Sequence, residues 1–187
     1  MALAASNNFE AEKVAPNFTL LNVVNQQYAS LKELKGEKGT VILFICNHCP
    51  FVIHINLALV TIANDYQKQG INFIAISSND VDNYPQDGPE KMKIVAERQQ
   101  YPFPYLFDAT QETARLYNAS CTPDIYLFDK QLKIFYHGQL DESRPGNGIP
   151  VTGKDLKIAM DLLIQKKKFT ETQKPSIGCS IKWTLES

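Results

Sequence analysis

No excess charge of either sign marks this 187-residue chain: nineteen Lys and Arg face twenty Asp and Glu, for a net charge of −1 and a pI near 6.3. A global field that would draw nucleic acid or anionic lipid is therefore missing, and neither partner is expected. A long apolar run is missing too. The longest, Cys49 to Ala63, is interrupted by His54 and Asn56 and falls short of the ~20 residues needed to cross a bilayer. Residues 1–13 carry neither a basic n-region nor an apolar h-region before Glu10 and Glu12, so a secretory leader is not expected and a cytoplasmic location is. Internal repeats, low-complexity blocks and long linkers are also lacking. Cysteine is scarce. Four in a cytoplasmic chain argue against a structural disulfide framework and leave reactivity, metal binding or simple burial.

What is present is an alternation of apolar runs and turns, with 44% hydrophobic residues, ample for one sizeable core. Phe18–Val24 and Gln27–Ser30 read as strands around the Asn25-Gln26 turn, followed by a short helical turn over Leu31–Leu34. Thr40–Ile45 is an unbroken apolar, β-branched run, as in a strand buried on both faces. From Cys49 to Gln69 the residues Phe51, Ile55, Leu59, Ile62 and Tyr66 fall on one helical face, and Gly70 supplies a stop.

A second buried strand spans Ile71–Ser77, a helix Lys91–Gln99, a third apolar run Pro104–Phe107 and a short helix Thr110–Tyr117. Ile125–Phe128 and Leu132–Tyr136 should pair as a hairpin across Asp129-Lys130-Gln131. The last helix is expected from Thr152, as its cap, to Lys167, with Lys166–Lys168 a solvated helix end. The expected organisation is an N-terminal arm over 1–14, one domain over 15–168, and a tail over 169–187 packed on it.

The chemical feature is Cys46-Asn47-His48-Cys49 at a strand-to-helix junction. There the first sulfur should lie over the free N–H groups of the opening helical turn, which stabilise a thiolate. The second lies about one turn away, close enough to resolve a mixed disulfide. His48 could supply a proton or partial charge, or be an exposed polar residue with no special role. Pro50 is compatible with a helix start.

Ala15-Pro16-Asn17-Phe18-Thr19-Leu20, the run Val41–Ile45 into Cys46-Asn47-His48-Cys49-Pro50, and Cys121-Thr122-Pro123-Asp124 together resemble the redoxin branch of the thioredoxin superfamily. Within it the chain resembles a peroxiredoxin-like group related to the alkyl hydroperoxide reductase and thiol-specific antioxidant proteins. Ser143-Arg144-Pro145-Gly146-Asn147 and Pro175-Ser176-Ile177-Gly178-Cys179 look like that group's own signatures. The resemblance implies an α/β thioredoxin-like fold: a central mixed sheet flanked by helices, with an N-terminal hairpin extension. It also implies a cis Pro123 against the Cys pair, with the Thr122 backbone open to an extended substrate. Cys121 would then approach the active site, unless it is a small core residue.

One departure bears on activity. Peroxiredoxins use a Pro-x-x-x-Thr/Ser-x-x-Cys arrangement; aligned on Cys49, it puts Cys46 where the Thr or Ser belongs and Ile42 where the Pro belongs. An Arg partner cannot be chosen among Arg98, Arg115 and Arg144. The expected activity is therefore thiol–disulfide exchange, with an antioxidant thiol peroxidase as the alternative. Thioredoxin logic makes Cys46 the exposed attacker and Cys49 the resolving thiol, peroxiredoxin logic the reverse; the lack of peroxide-orienting groups favours Cys46. The substrate would be a disulfide-containing protein or a small thiol compound, recharged by an external thiol reductant, with no cofactor.

A copper(I) or zinc site from Cys46, His48, Cys49 and a surface His137 is a reading from another class, and a redox-sensing module a third. Cys179 could be a further redox thiol, but strand-like Ile181-Lys182-Trp183 favours a structural part.

Overall fold

The computed structural model describes residues 3–8, 10 and 12–184. Ten strands and five helices follow one another as β1 (Leu3–Ala5), β2 (Thr19–Asn22), β3 (Gln27–Ser30), α1 (Leu31–Leu34), β4 (Gly39–Phe44), α2 (Pro50–Gln67), β5 (Ile71–Ser77), α3 (Pro89–Gln99), β6 (Tyr105–Phe107), α4 (Glu112–Tyr117), β7 (Cys121–Thr122), β8 (Asp124–Asp129), β9 (Ile134–His137), α5 (Lys154–Ile164) and β10 (Ile177–Ser180). A 3-10 turn, Pro85–Asp87, precedes α3.

Seven strands form a mixed sheet in the order β3-β2-β6-β5-β4-β8-β9. β4, β5 and β6 run parallel; β8 and β9 continue the sheet antiparallel on one side, and the β2–β3 hairpin on the other. β4 is buried along its whole length because alternate side chains enter two cores. Val41 and Leu43 join Val52, Ile55 and Leu59 of α2 and Leu156 and Met160 of α5. Ile42 and Phe44 join Leu31 of α1 and Ala114 and Tyr117 of α4 on the opposite face. A two-sided strand needs helices on both sides, which accounts for its uninterrupted apolar sequence. The expected α/β architecture and both hairpins are present.

Four local readings are corrected. α5 is shorter than expected, and Thr152 is not its cap: Gly153 occupies that position at φ 69°, and the carboxylate of Asp141 accepts from the Thr152 and Gly153 N–H groups at 2.7 and 2.6 Å. The free N–H groups of the first helical turn are met instead by the Leu140 carbonyl, which accepts from Asp155 and Leu156 at 3.1 and 3.3 Å, while Asp141 fixes the two residues just before the helix. His137 is not a surface imidazole. The chain around Gln173 and Ser176 covers the β9 edge, and His137 is buried with Nε2 2.8 Å from Asp124 Oδ1, its ring stacked 4.0 Å from Tyr126. The tail strand is Ile177–Ser180, preceding rather than comprising Ile181-Lys182-Trp183. Finally, Cys46 is not exposed, as its surroundings below make clear.

A second sheet, not expected from local pattern, has the order β1-β10-β7. Cys179 pairs in register with Leu3 on one side and Thr122 on the other. Gly178 permits this approach: a Cβ there would lie 2.0 Å from the Thr122 carbonyl oxygen. Among the described residues no helix is long and apolar enough to cross a membrane.

Candidate active site

β4 delivers the chain to Cys46, and α2 begins at Pro50, so the four-residue segment bridges the end of the sheet and the start of a helix. Cys49, rather than Cys46, occupies the N-cap position of α2, with Pro50 at the first helical position. This reverses the expected placement of the two sulfurs relative to the helix.

Cys46 Sγ lies 3.5 Å from Thr122 Oγ1 and 4.0 Å from His48 Nδ1. Cys49 Sγ lies 3.0 Å from the Thr122 carbonyl oxygen and 3.0 Å from Cys179 Sγ. The Thr122–Pro123 peptide bond is cis. Thr122 therefore touches both members of the pair, and Cys121 sits behind, its sulfur 3.5 Å from the Pro123 carbonyl. All four cysteines are free thiols and buried; Cys46 is 2% and Cys49 0% exposed.

The two sulfurs of the pair differ in charge environment. The Cys46 thiol proton pulls Cys49 down to about 4, with Cys179, Thr122 and the Val52 N–H acting in the same direction against burial. The Thr122 carbonyl, an acceptor, also opposes the anion. Cys46 is driven upward by the proton it shares with Cys49, by burial and by the negative charge of Asp87. The two shifts point in opposite directions and favour charge on Cys49 over Cys46.

A buried carboxylate missed in the sequence organises the segment. Asp87 accepts from the Asn47 N–H at 2.8 Å through Oδ1, and from Asn79 Nδ2 at 2.8 Å through Oδ2, which is also 2.6 Å from His48 Nδ1. A proton on Nδ1 is thereby directed to Asp87, not to the sulfur 4.0 Å away. His48 Nε2 is buried without a partner, and its ring stacks on Tyr84 at 5.6 Å. Asn79 in turn accepts from the Lys182 N–H at 2.9 Å, which stitches the tail to the same network. Nothing local distinguishes Asp87 in its polar loop, since its function comes from residues forty positions away.

Ligand atoms of Cys46, His48 and Asp87 lie within 4.8 Å of one another and could meet a metal ion. Their present geometry is that of a hydrogen-bonded network, with both Asp87 oxygens already engaged. The four-ligand set expected from sequence is not assembled in that cluster, because His137 pairs with Asp124. Arg144, a candidate arginine, donates to the Asp141 and Ser143 carbonyls and to Gln139, while Arg115 lies over Trp183 at 4.7 Å.

A cysteine pair between a central strand and a helix, faced by a cis-proline segment, on a mixed sheet covered on both sides, defines a thioredoxin-like protein. The AhpC/TSA family model matches residues 11–137, and the chain belongs to that family. No curated protein sequence matches the chain. An uncharacterized conserved protein from Geobacillus kaustophilus is 54% identical, superposing with a TM-score of 0.98 over 100% of this chain and 99% of that one. At fold level, the chain is similar to Peroxidoxin BcpB from Mycobacterium tuberculosis, with 14% identity, TM-score 0.63, and 86% and 100% of the two chains covered. It is likewise similar to the thioredoxin domain of a thiol-disulfide oxidoreductase from Bacteroides vulgatus, with 19% identity, TM-score 0.59, and coverage of 73% and 91%.

Proposed function

We propose that this protein is a thiol–disulfide oxidoreductase working through the Cys46/Cys49 dithiol. The observation that carries the reading is the pair at the amino end of α2 with Thr122, ahead of cis Pro123, within 3.5 Å of both sulfurs. The Cys49 thiolate attacks a substrate disulfide, forming a mixed disulfide and releasing one thiolate. Cys46 then attacks the Cys49 sulfur, releases the second thiol and leaves a Cys46–Cys49 disulfide, which an external thiol reductant returns to the dithiol. Giving Cys49 the first attack departs from the sequence expectation. Its basis is the N-cap position and the four hydrogen-bonding groups that favour charge on that sulfur.

Pro123 holds the Thr122 segment against the pair; His48, tied to Asp87, positions the loop rather than delivering a proton to sulfur. The burial of both sulfurs favours a small disulfide over a folded protein as the oxidised substrate. Insulin-disulfide and small-disulfide reduction, measured for the wild type and each Cys→Ser variant, tests the assignment. Cys49→Ser should lose at least 100-fold in turnover. Wild-type turnover in that variant would refute it.

A peroxidase reading has one observation in its favour: a closed site with a buried thiolate suits a substrate as small as hydrogen peroxide. Against it stand Cys46 and Ile42 at the positions of the family's Thr or Ser and Pro. Peroxide consumption faster than disulfide reduction would favour it.

A further inference from the structure

Cys49 has two sulfur neighbours, and the second comes from the far end of the sequence. Cys179 lies 130 positions away, yet its Sγ is 3.0 Å from that of Cys49. The approach is built into the fold. β10 is paired on both edges, Cys179 stands opposite Thr122, and the residue before it must be glycine-sized for the strand to lie so close. The segment beyond is fastened by the Ile181 N–H to the Ser120 carbonyl at 3.1 Å and by the Lys182 N–H to Asn79.

We propose that Cys179 is a second resolving thiol, able to take Cys49 into a Cys49–Cys179 disulfide as an alternative to Cys46–Cys49. The inference rests on the thiol–disulfide exchange proposed above. After Cys49 attacks a disulfide R–S–S–R′, R′ leaves as a thiolate and Cys49–S–S–R remains. The Cys179 sulfur attacks the Cys49 sulfur, the bond to R breaks, and the Cys179 proton passes to the departing sulfur, giving RSH and Cys49–S–S–Cys179. An external dithiol restores both thiols and is itself oxidised to a disulfide.

The first step prepares the second. In the reduced protein Cys179 is held protonated by burial and by its hydrogen bond to, and the charge of, Cys49; Lys182 pulls the other way. Once Cys49 is in a neutral mixed disulfide, two of those three restraints are gone and the Lys182 attraction persists. The two products differ in consequence. Cys46–Cys49 closes a loop within one segment, whereas Cys49–Cys179 pins the tail strand to the start of α2.

The test uses full-length reduced C46S and C46S/C179S proteins with 4,4′-dithiodipyridine, acid quenching, alkylation and peptide mapping. C46S should release two thiopyridones per reacted Cys49 and yield a Cys49–Cys179 cross-linked peptide; C46S/C179S should stop at one and keep the thiopyridyl group on Cys49. If C46S also stops at one, with Cys179 open to alkylation, the second resolving thiol is refuted while attack by Cys49 stands. Failure of reduced wild type to form any Cys49 adduct or disulfide refutes the exchange reading itself, and this inference with it. If C46S does not fold, the wild-type digest after one equivalent of reagent decides: a Cys49–Cys179 peptide is expected, and its absence overturns the proposal.

Discussion

Replacing Gly178 by alanine tests the cover over the sulfur pair most directly. The added Cβ would stand 2.0 Å from the Thr122 carbonyl oxygen and 2.6 Å from its carbon, both main-chain atoms. Restoring an ordinary contact of about 3.4 Å requires β10 and β7 to part by about 1.4 Å. Such overpacking costs ~1–3 kcal/mol, and stretching a strand hydrogen bond adds about 1 kcal/mol, for a total of about 2–4 kcal/mol. In a chain of this size that lowers the melting temperature by roughly 4–16 °C. If the loss is concentrated where the strands part, opening of the tail over Cys49 becomes about 30- to 700-fold more frequent. Calorimetry reads the first quantity, and the rate of Cys49 alkylation by iodoacetamide reads the second. A variant as stable as the wild type, with Cys49 alkylated at the wild-type rate, would show that the tail strand does not govern access.

Three other perturbations bear on the charge network. Thiolate absorbance at 240 nm should persist down to about pH 4 and vanish in Cys49→Ser. Because the folded value is depressed below the unfolded one near 9, the stabilisation from Cys49 is full above pH 9 and is lost as pH falls toward 4; urea midpoints should therefore fall from pH 8 to pH 5 more steeply in wild type than in Cys49→Ser. Asp87→Asn removes the negative charge that raises Cys46 and weakens the acceptor for Asn47 and His48: Cys46 should alkylate faster in mass-spectrometric time courses, with ~1–3 kcal/mol lost in urea unfolding. His137→Ala takes the ring partner from buried Asp124 and should cost about 1–3 kcal/mol by the same measurement; an unchanged midpoint would refute the structural part given to that pair.

The central architecture was legible because β4 and α2 announce themselves locally. Thr40–Ile45 is apolar at every position, as a strand facing two cores must be, and the three- and four-residue spacing from Phe51 to Tyr66 survives as one buried helical face. The Cys pair could be found because its chemistry is short-range. What escaped was set by distance along the chain. Leu140 and Asp141 secure the start of a helix they do not adjoin, and residues 173–176 bury a histidine that the β9 sequence alone presents as edge-facing. β1, β7 and β10 have two to four residues each, too few for a period, and exist only through one another. The start of α2 at Pro50 was itself legible, whereas the position of Cys49 rather than Cys46 at its N-cap was not drawn from it.

The long sequence separation between Cys49 and Cys179 gives the molecule a history as well as a shape. On a ribosome adding about 5–20 residues per second, the strand that closes over Cys49 is made roughly 7–26 s after it, since 130 positions intervene. For that interval the nascent chain holds Cys49 without Cys179 beside it, its β10 cover or the Lys182 link to Asn79. The cover over Cys49 can therefore close only after every other part of the site, from β4 to the Thr122 segment, has been made.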